Sequence, residues 1–377
     1  MVRMTHRARV LAAVDRQETD RTPIDFGGTL ATTIVPCTYE KLKHHLGETH
    51  KTIIGWKRQQ LVLPAETMLR RFDVDTRPLK LGDYDGGKAR VLSTHQMIDN
   101  WGTTWSKEAG GHYLNVAGPF YKTEADPALI EAYDWPDPDN PGLYRGLKTQ
   151  AEDLHNCTDY AVILDLGIGI VTRAQFVRGF MEFLIDMTLH PEFANALLSK
   201  LGQIWIHIAR NALQEVGHLV DVVFWGDDYG MQQAPLFRPQ LFTDLVKPVN
   251  QRMVTTVKEL SDARVLLHSC GSVAPMIPDM IDTGIDALNP VQVSADNMDP
   301  AKLKSDFGDR LAFWGGIDTQ DVLPFRTPVE VVEYVQHIIK TLGKGGGYVL
   351  STVHNIQEQV PPENIVAMFE ACLANRS

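Results

Sequence analysis

Eight short apolar runs, each carrying a polar or ionisable residue in or near its second half, constrain this chain more than any other feature. They lie at residues 23–27, 72–81, 160–166, 220–228, 264–270, 285–292, 311–318 and 347–354. Rich in β-branched and aromatic residues and bounded by Gly, Asp or Pro, they have the composition of strands. Between them, residues 175–189, 192–215, 239–260, 273–283 and 327–342 repeat apolar side chains at helical spacing. Near-continuous apolar strands alternating with helices predict a parallel sheet covered on its outer face. A count of eight favours closure into a (β/α)8 TIM barrel over an open sheet, and the runs use residues 1–377 as one α/β domain. Residues 88–116 do not fit a plain barrel: the segment alternates, contains Gly102 and Gly110-Gly111, and carries Trp101, Trp105 and Tyr113. It predicts a β-hairpin insertion near the barrel mouth, either packing there or covering the site.

Composition narrows the function. No apolar run approaches the ~20 residues needed to cross a bilayer, and the basic start of the chain has an apolar core only over 10–14, so neither a membrane span nor a signal peptide is expected. The expected location is cytoplasmic. Net charge is -11, from 36 Lys+Arg against 47 Asp+Glu, and no basic cluster exceeds the Arg70-Arg71 pair. A nucleic-acid partner needs a phosphate-neutralising face, which this balance argues against. Four widely spaced cysteines, Cys37, Cys157, Cys270 and Cys372, are not a disulfide framework.

In barrels of this kind the C-terminal strand ends build the active site. Here they offer Asp25, Asp75 or Arg77, Asp165, Asp227 and Asp228, His268 and Cys270, Asn289 with Gln292, Asp318, and His354. The sharpest element is Leu266-Leu-His-Ser-Cys-Gly271. Residues two apart in a strand point the same way, so the His268 imidazole and the Cys270 sulfur converge at the mouth. Imidazole and thiolate together suit Zn2+; a buried Cys beside a hydrogen-bonded His is the plainer alternative. His354, closing the last run, supplies a third donor, and three protein ligands with an open position make a catalytic zinc site. The Asp227–Asp228 pair is a candidate for acceptor orientation or acid/base work, with a helix cap as the alternative role for one of them. Trp314 either lines the pocket or belongs to the core.

Several motifs carry a family resemblance. They are Gly226-Asp-Asp-Tyr-Gly230, His268-Ser-Cys-Gly271, Leu288-Asn-Pro-Val-Gln292, Phe313-Trp-Gly-Gly-Ile-Asp318, His354-Asn-Ile-Gln357 and Val360-Pro-Pro-Glu-Asn-Ile365. With Arg7-Ala-Arg-Val-Leu-Ala-Ala-Val14 and Asp20-Arg-Thr-Pro23, the chain resembles the uroporphyrinogen decarboxylase superfamily nearly end to end. Within it, the match is to the decarboxylase-like methyltransferase branch, which includes methylcobamide:coenzyme M methyltransferases. That branch holds zinc through a His-x-Cys on the fifth strand, matched by His268 and Cys270, and through a Cys after the last strand, where this chain has His354. The resemblance implies a zinc-dependent methyltransferase moving a methyl group between a corrinoid protein and a thiol or folate acceptor. Asp227, Asp228 and Asp318 are its candidate catalytic carboxylates, and Asp25, Asn289, Gln292 and Trp314 its candidate substrate contacts. Cobalamin is expected on a separate protein, since Asp153-Leu-His155 lacks the glycine of a corrinoid signature. A homodimer is also implied. The family's decarboxylases carry an Arg-rich loop after the first strand, but here Phe26-Gly-Gly-Thr-Leu-Ala-Thr-Thr-Ile34 has no arginine to pair with substrate carboxylates. Metal-free decarboxylation of an acidic substrate is therefore the second expectation, and a non-catalytic ligand- or corrinoid-protein-binding barrel the third.

Overall fold

A computed structural model describes residues 3–108 and 111–375. In chain order its strands are β1 (Ile53–Trp56), β2 (Leu61–Leu63), β3 (Thr76–Lys80), β4 (Arg90–Ser93), β5 (Gln96–Ile98), β6 (Thr104–Ser106), β7 (Leu114–Ala117), β8 (Ala161–Ile168), β9 (Val222–Gly226), β10 (Arg264–His268), β11 (Ala287–Asn289), β12 (Ala312–Ile317) and β13 (Tyr348–Thr352). A parallel seven-stranded sheet runs β13-β12-β11-β10-β9-β8-β3. Its strands lie on seven of the eight apolar runs, with β8 continuing two residues beyond the third.

The first run departs from expectation. Residues 23–27 form no strand of their own, and Ile24 makes a single parallel bridge to Leu350. Pro23 has no N–H to give, and Gly27 at φ 79 turns the chain away after two residues. The short segment still touches both sheet edges. Asp25 N donates to Leu350 O and Leu350 N to Pro23 O, each at 2.9 Å, while Asp75 N donates to Ile24 O at 2.9 Å on the other side. The sheet therefore curls until its two edges share this segment.

Alternation along the strands sorts their side chains into two cores. Val162, Leu164, Val223, Trp225, Val265, Leu267 and Phe313 pack outward in one large cluster with helices such as Pro191–Val216 and Pro328–Leu342. Ala161, Ile163, Val222, Phe224, Leu266, Ala287, Ala312, Trp314 and Val349 point the other way into a second cluster, closed by Val10, Ala13 and Val14 of the helix His6–Val14. The inner cluster plugs the N-terminal end of the sheet, so any open volume must lie toward the C-terminal strand ends.

The segment expected as one hairpin is a four-stranded antiparallel sheet, β4-β5-β6-β7. Gly110, part of the expected glycine pair, lies outside the described residues. The turn between β5 and β6 is built by Asp99, whose Oδ1 accepts from Trp101 N and Thr103 N at 2.9 and 3.0 Å, with Gly102 at φ 79. Trp105 of β6 docks this sheet on the body, edge-on to Phe176 at 4.7 Å between ring centroids. No helix among the described residues is long and apolar enough to cross a membrane.

Candidate metal centre and its pocket

β10 ends at His268, and the chain then opens into Ser269-Cys270-Gly271, with Gly271 at φ 86 in close approach to the Gly230 backbone. Nε2 of His268 lies 3.2 Å from Cys270 Sγ. The His354 ring stands at 5.5 Å from that of His268, centroid to centroid. One ligand atom from each of the three residues falls within 4.8 Å of the others. Donors around a tetrahedral zinc are separated by roughly 3.3–3.8 Å, so ligation needs an inward adjustment of about 1 Å at the widest pair.

The surroundings fix which nitrogen of His268 is free. Asn289 Nδ2 donates to Trp314 O at 3.0 Å, a carbonyl that can only accept, so Asn289 Oδ1 is the atom facing His268 Nδ1, at 2.5 Å. Nδ1 therefore carries the hydrogen, and the Nε2 lone pair points toward Cys270. This is the outer support that metal-ligating histidines require. His354 sits at φ 66, a left-handed conformation unusual outside glycine and frequent at functional sites. Thr352 Oγ1 holds its carbonyl at 2.7 Å, and Asn355 Nδ2 reaches its Nδ1 at 3.3 Å. Desolvation and then the neighbouring His268 push the His354 imidazole down to about 4, against an opposing pull from Asp228, so the ring is neutral and able to bind a metal. Burial, and then the charge of Asp228, push the Cys270 thiol well above its ordinary range. By itself Cys270 is an inert thiol; a cation is what would make it a thiolate.

Asp228 completes the group. Its Oδ1 accepts from Cys270 N at 3.0 Å and lies 3.6 Å from His268 Nε2. Asp228, His268 and His354 share a cavity of about 350 Å³ walled by apolar groups including Leu30, Leu61, Ile168 and Phe176.

The other expected site residues are placed elsewhere. Asp227 is fully buried and turned away: its carboxylate accepts from Val171 N and Thr172 N at 3.0 and 2.7 Å, at the start of the helix Ile170–Arg178. Burial pushes its carboxyl up to about 6. It is the member of the pair that caps a helix. Asp318 follows β12 but opens on a different cavity, shared with Asp321, Arg326 and Tyr334. Asn289 is fully buried with both ends of its amide engaged, so it holds His268 rather than a substrate. Trp314 is fully buried in the inner core and donates from Nε1 to Asp25 Oδ2 at 2.8 Å; Asp25 also accepts from Thr76 Oγ1 at 2.6 Å. Both lie inside the plug. Gln292 supports the loop after β10, accepting from Gly271 N at 2.8 Å.

Asp75 and Arg77 are a second correction. β3 begins at Thr76, so Asp75 sits at the N-terminal end of the sheet, where it pairs with Arg9 at 2.5 Å and Arg21 at 2.8 Å. Arg77 points outward onto the Tyr160 ring and Glu66. Conversely, Arg58, Gln59, His112 and Tyr113 line the pocket and were not singled out as contacts by sequence. Arg58 and Gln59 sit in the β1–β2 turn and carry no motif. Tyr113, in the insertion, was the one visible signal.

The uroporphyrinogen decarboxylase (URO-D) family model matches residues 118–374, more than half of the chain. The chain belongs to the uroporphyrinogen decarboxylase family. Relatives of that family include a uroporphyrinogen decarboxylase from Legionella pneumophila, 26% identical over 195 residues, covering 52% of this chain and 51% of the relative. The methylcobamide:CoM methyltransferase MtaA of Methanosarcina barkeri is 28% identical over 195 residues, covering 52% of each. The chain thus spans about half the length of the curated relatives it matches. Among solved structures, a methyltransferase from Methanosarcina mazei aligns over 98% of this chain and 99% of its own, with TM-score 0.68 and 18% identity. At that identity the likeness is one of fold, and it extends the family's α/β architecture over nearly the whole chain.

Proposed function

We propose that this URO-D family chain is a zinc-dependent methyltransferase, transferring a methyl group between a corrinoid protein and a small thiol or folate acceptor, within a single closed (β/α)8 barrel whose shortened first strand is the segment at Ile24. The observation that carries the proposal is the convergence of His268 Nε2, Cys270 Sγ and the His354 imidazole beside a pocket that His268 and His354 line. The donor set fits zinc: one soft sulfur, two imidazoles, and an Asn289 carbonyl that holds the hydrogen of one ring on Nδ1, away from the ligating Nε2. When bound there, zinc would lower the pKa of a substrate thiol and keep it as the reactive thiolate.

The chain's own groups do the rest. His268 presents Nε2, and His354, kept neutral by desolvation, presents a second imidazole. Asp228, at the pocket edge, is positioned to take the proton released by the acceptor or by Cys270. Leu30, Leu61, Ile168 and Phe176 give the pocket its apolar walls. A methylated corrinoid carried by a partner protein would supply the methyl group and retain the electron pair of the broken bond, and the pocket residues would hold the acceptor sulfur in place to receive it. The relative named as a methylcobamide methyltransferase supports this assignment. The relatives named as decarboxylases support the second reading, but the loop over 26–34 brings no arginine to the pocket.

Metal analysis of the purified chain tests the proposal. About one zinc per chain is expected, with loss of the metal and of thiol methylation from methylcobalamin in Cys270→Ala. Wild-type protein without stoichiometric metal, or Cys270→Ala that keeps it, refutes the zinc centre.

A further inference from the structure

A separate cavity of about 510 Å³ opens at the C-terminal end of β12 and shares no lining residue with the pocket beside the metal centre. Its volume is that of a small-molecule site. Val293, Val322, Ile338 and the Tyr334 ring give it apolar walls. Its charged lining is three carboxylates, Asp318, Asp321 and Glu330, against the one guanidinium of Arg326, with His337 beside them. Two of the carboxylates are already committed. Asp321 Oδ2 accepts from Arg326 Nε and Nη2 at 3.0 and 2.7 Å, and Glu330 Oε2 accepts from Thr327 N and Oγ1 at 2.8 Å in the cap of the helix Pro328–Leu342. Asp318 differs. It is only 7% exposed, and while its Oδ1 accepts from Gln320 N at 2.7 Å, its other oxygen meets no donor among the described residues. A largely desolvated carboxylate oxygen facing a cavity gains a charge-assisted hydrogen bond from any donor that enters.

The turn that carries Asp318 is tied to both sides of the metal centre. Thr319 Oγ1 donates to Val353 O at 2.5 Å, and Val353 N donates to Ile317 O at 2.7 Å, immediately before His354. On the other side Ser294 Oγ donates to Gln320 Oε1 at 3.0 Å, and the Ser294 carbonyl accepts from Gln232 Nε2. Gln232 Oε1 in turn accepts from Gln292 Nε2 at 2.9 Å, and Gln292 Oε1 from Gly271 N at 2.8 Å, next to Cys270. The link to His354 is one hydrogen bond long and the link to Cys270 is four, so the shorter one is the stronger route for a displacement of the turn.

We propose that this cavity binds a small organic ammonium ion, held by the free oxygen of Asp318, and that its occupancy is transmitted through Thr319 to His354. The chemistry of the lining selects that class. A divalent metal needs several converging donors, and among the described residues only His268, Cys270 and His354 converge in that way. An anion would face three carboxylates with one guanidinium already paired. An ammonium on an apolar body puts its N–H donors at Asp318 and its body against Tyr334 and Val322. Binding at Asp318 that is felt at His354 is felt in return, so a metal on His354 would alter affinity for the ammonium by the same factor.

The test uses three near-isosteric probes of different charge, 2-phenylethylammonium, 2-phenylethanol and 3-phenylpropionate, titrated calorimetrically into the full chain after chelator treatment. Wild type is expected to bind the ammonium about tenfold more tightly than the alcohol, and the carboxylate more weakly than either. Asp318→Asn keeps an Oδ1 acceptor for Gln320 N and should abolish the preference for the ammonium, with an unchanged affinity for the alcohol showing that the cavity is intact. No binding of the ammonium, equal affinities for ammonium and alcohol, a preference for the carboxylate, or an ammonium preference that survives in Asp318→Asn overturns the site. Transmission is read by hydrogen exchange and mass spectrometry on the same metal-free protein. Saturation with the ammonium should slow exchange severalfold over 319–320 and over 353–355, and Thr319→Val should keep the ammonium affinity and lose only the second effect. Unchanged exchange over 353–355 in wild type, or an effect there that persists in Thr319→Val, overturns the link to His354. Both readouts are made without metal, so a chain that proves to hold no zinc sinks the methyltransferase reading and leaves the ammonium site to be decided by these measurements.

Discussion

Asn289→Ala is predicted to weaken zinc binding at a centre whose three donors remain in place. In the wild type, Asn289 Oδ1 accepts from His268 Nδ1, and Asn289 Nδ2 is committed to the Trp314 carbonyl. Without metal, the variant's His268 can move its single hydrogen to Nε2, where the Asp228 carboxylate at 3.6 Å and the Cys270 sulfur at 3.2 Å are nearby acceptors. With metal on Nε2, the hydrogen must stay on Nδ1, fully buried and with no acceptor. The penalty of an unsatisfied buried donor, about 1–3 kcal/mol, therefore falls on the metal-bound state alone. That corresponds to a loss in affinity of roughly five- to hundred-fold, in the range found for outer-sphere partners of zinc-bound histidine. Competition with a chromophoric chelator at constant pH measures it, with circular dichroism to confirm the fold. A dissociation constant within about threefold of wild type in a folded variant would refute the assigned tautomer and, with it, the ligating role of Nε2.

Four further outcomes follow from the same contacts. Asp75→Asn leaves Arg9 and Arg21 facing a neutral group inside the N-terminal end of the sheet, and urea unfolding should show a loss of about 3–5 kcal/mol. Asp75 and Asp20 are both held below the ordinary carboxylate range, Asp20 at about 2, despite burial, by Arg9, Arg21 and hydrogen bonds. Their stabilisation is complete above the unfolded carboxylate pKa and is lost as pH falls from about 4 through 2, so acid unfolding should set in there and move to higher pH when Arg9 is replaced. Asp227 behaves oppositely. Its carboxyl is raised to about 6, so its favourable contribution is complete below about 4 and disappears as pH rises through 6, a swing of about 3 kcal/mol that Asp227→Asn should remove from the stability profile. Trp105→Ala should leave zinc content unchanged while loosening the inserted sheet from the body, seen as faster limited proteolysis within β4–β7, because its edge contact with Phe176 and its hydrogen bond to Asp99 are lost.

Much of this was legible in the sequence, for identifiable reasons. Period-two alternation places His268 and Cys270 on one side at a strand end, and the structure brings their Nε2 and Sγ to 3.2 Å. Seven of the eight runs are strands of one parallel sheet because their residues must be buried on both faces. The sequence did not show how far each run continues as a strand. β11 stops at Asn289, so Gln292 lies beyond it in a loop, and β3 starts at Thr76, which sends Asp75 to the opposite end from the site. Nor does a strand pattern report how deep an inward residue lies. Asp25 and Trp314 point inward as expected, yet they belong to the plug because they hydrogen-bond each other across it. Arg58 and Gln59 were invisible because they sit in a short turn with no motif, and only three-dimensional packing brings them to the pocket.

Asp227 and Asp228 show how one step along the chain divides structural from chemical work. β9 ends at Gly226, and the next two carboxylates leave the strand in different directions. Asp227 turns back beneath the helix Ile170–Arg178, so close to Gly169 that a Cβ there would meet its carboxylate at 2.7–2.8 Å. A side chain at residue 169 would push Asp227 off the helix N–H groups it satisfies. Asp228 emerges into the pocket, where its Oδ1 binds Cys270 N and faces His268. The two share a backbone, so the helix that Asp227 anchors also sets where Asp228 lies relative to the sulfur, and Thr172 Oγ1 accepts from Asp228 N at 3.2 Å to reinforce the link. The same helix supplies Phe176 and Arg173 to the wall around Arg58. Both parts of the pocket wall are therefore held by one rigid element, so a side chain at residue 169 that displaces Asp227 should shift Asp228 and the wall around Arg58 together.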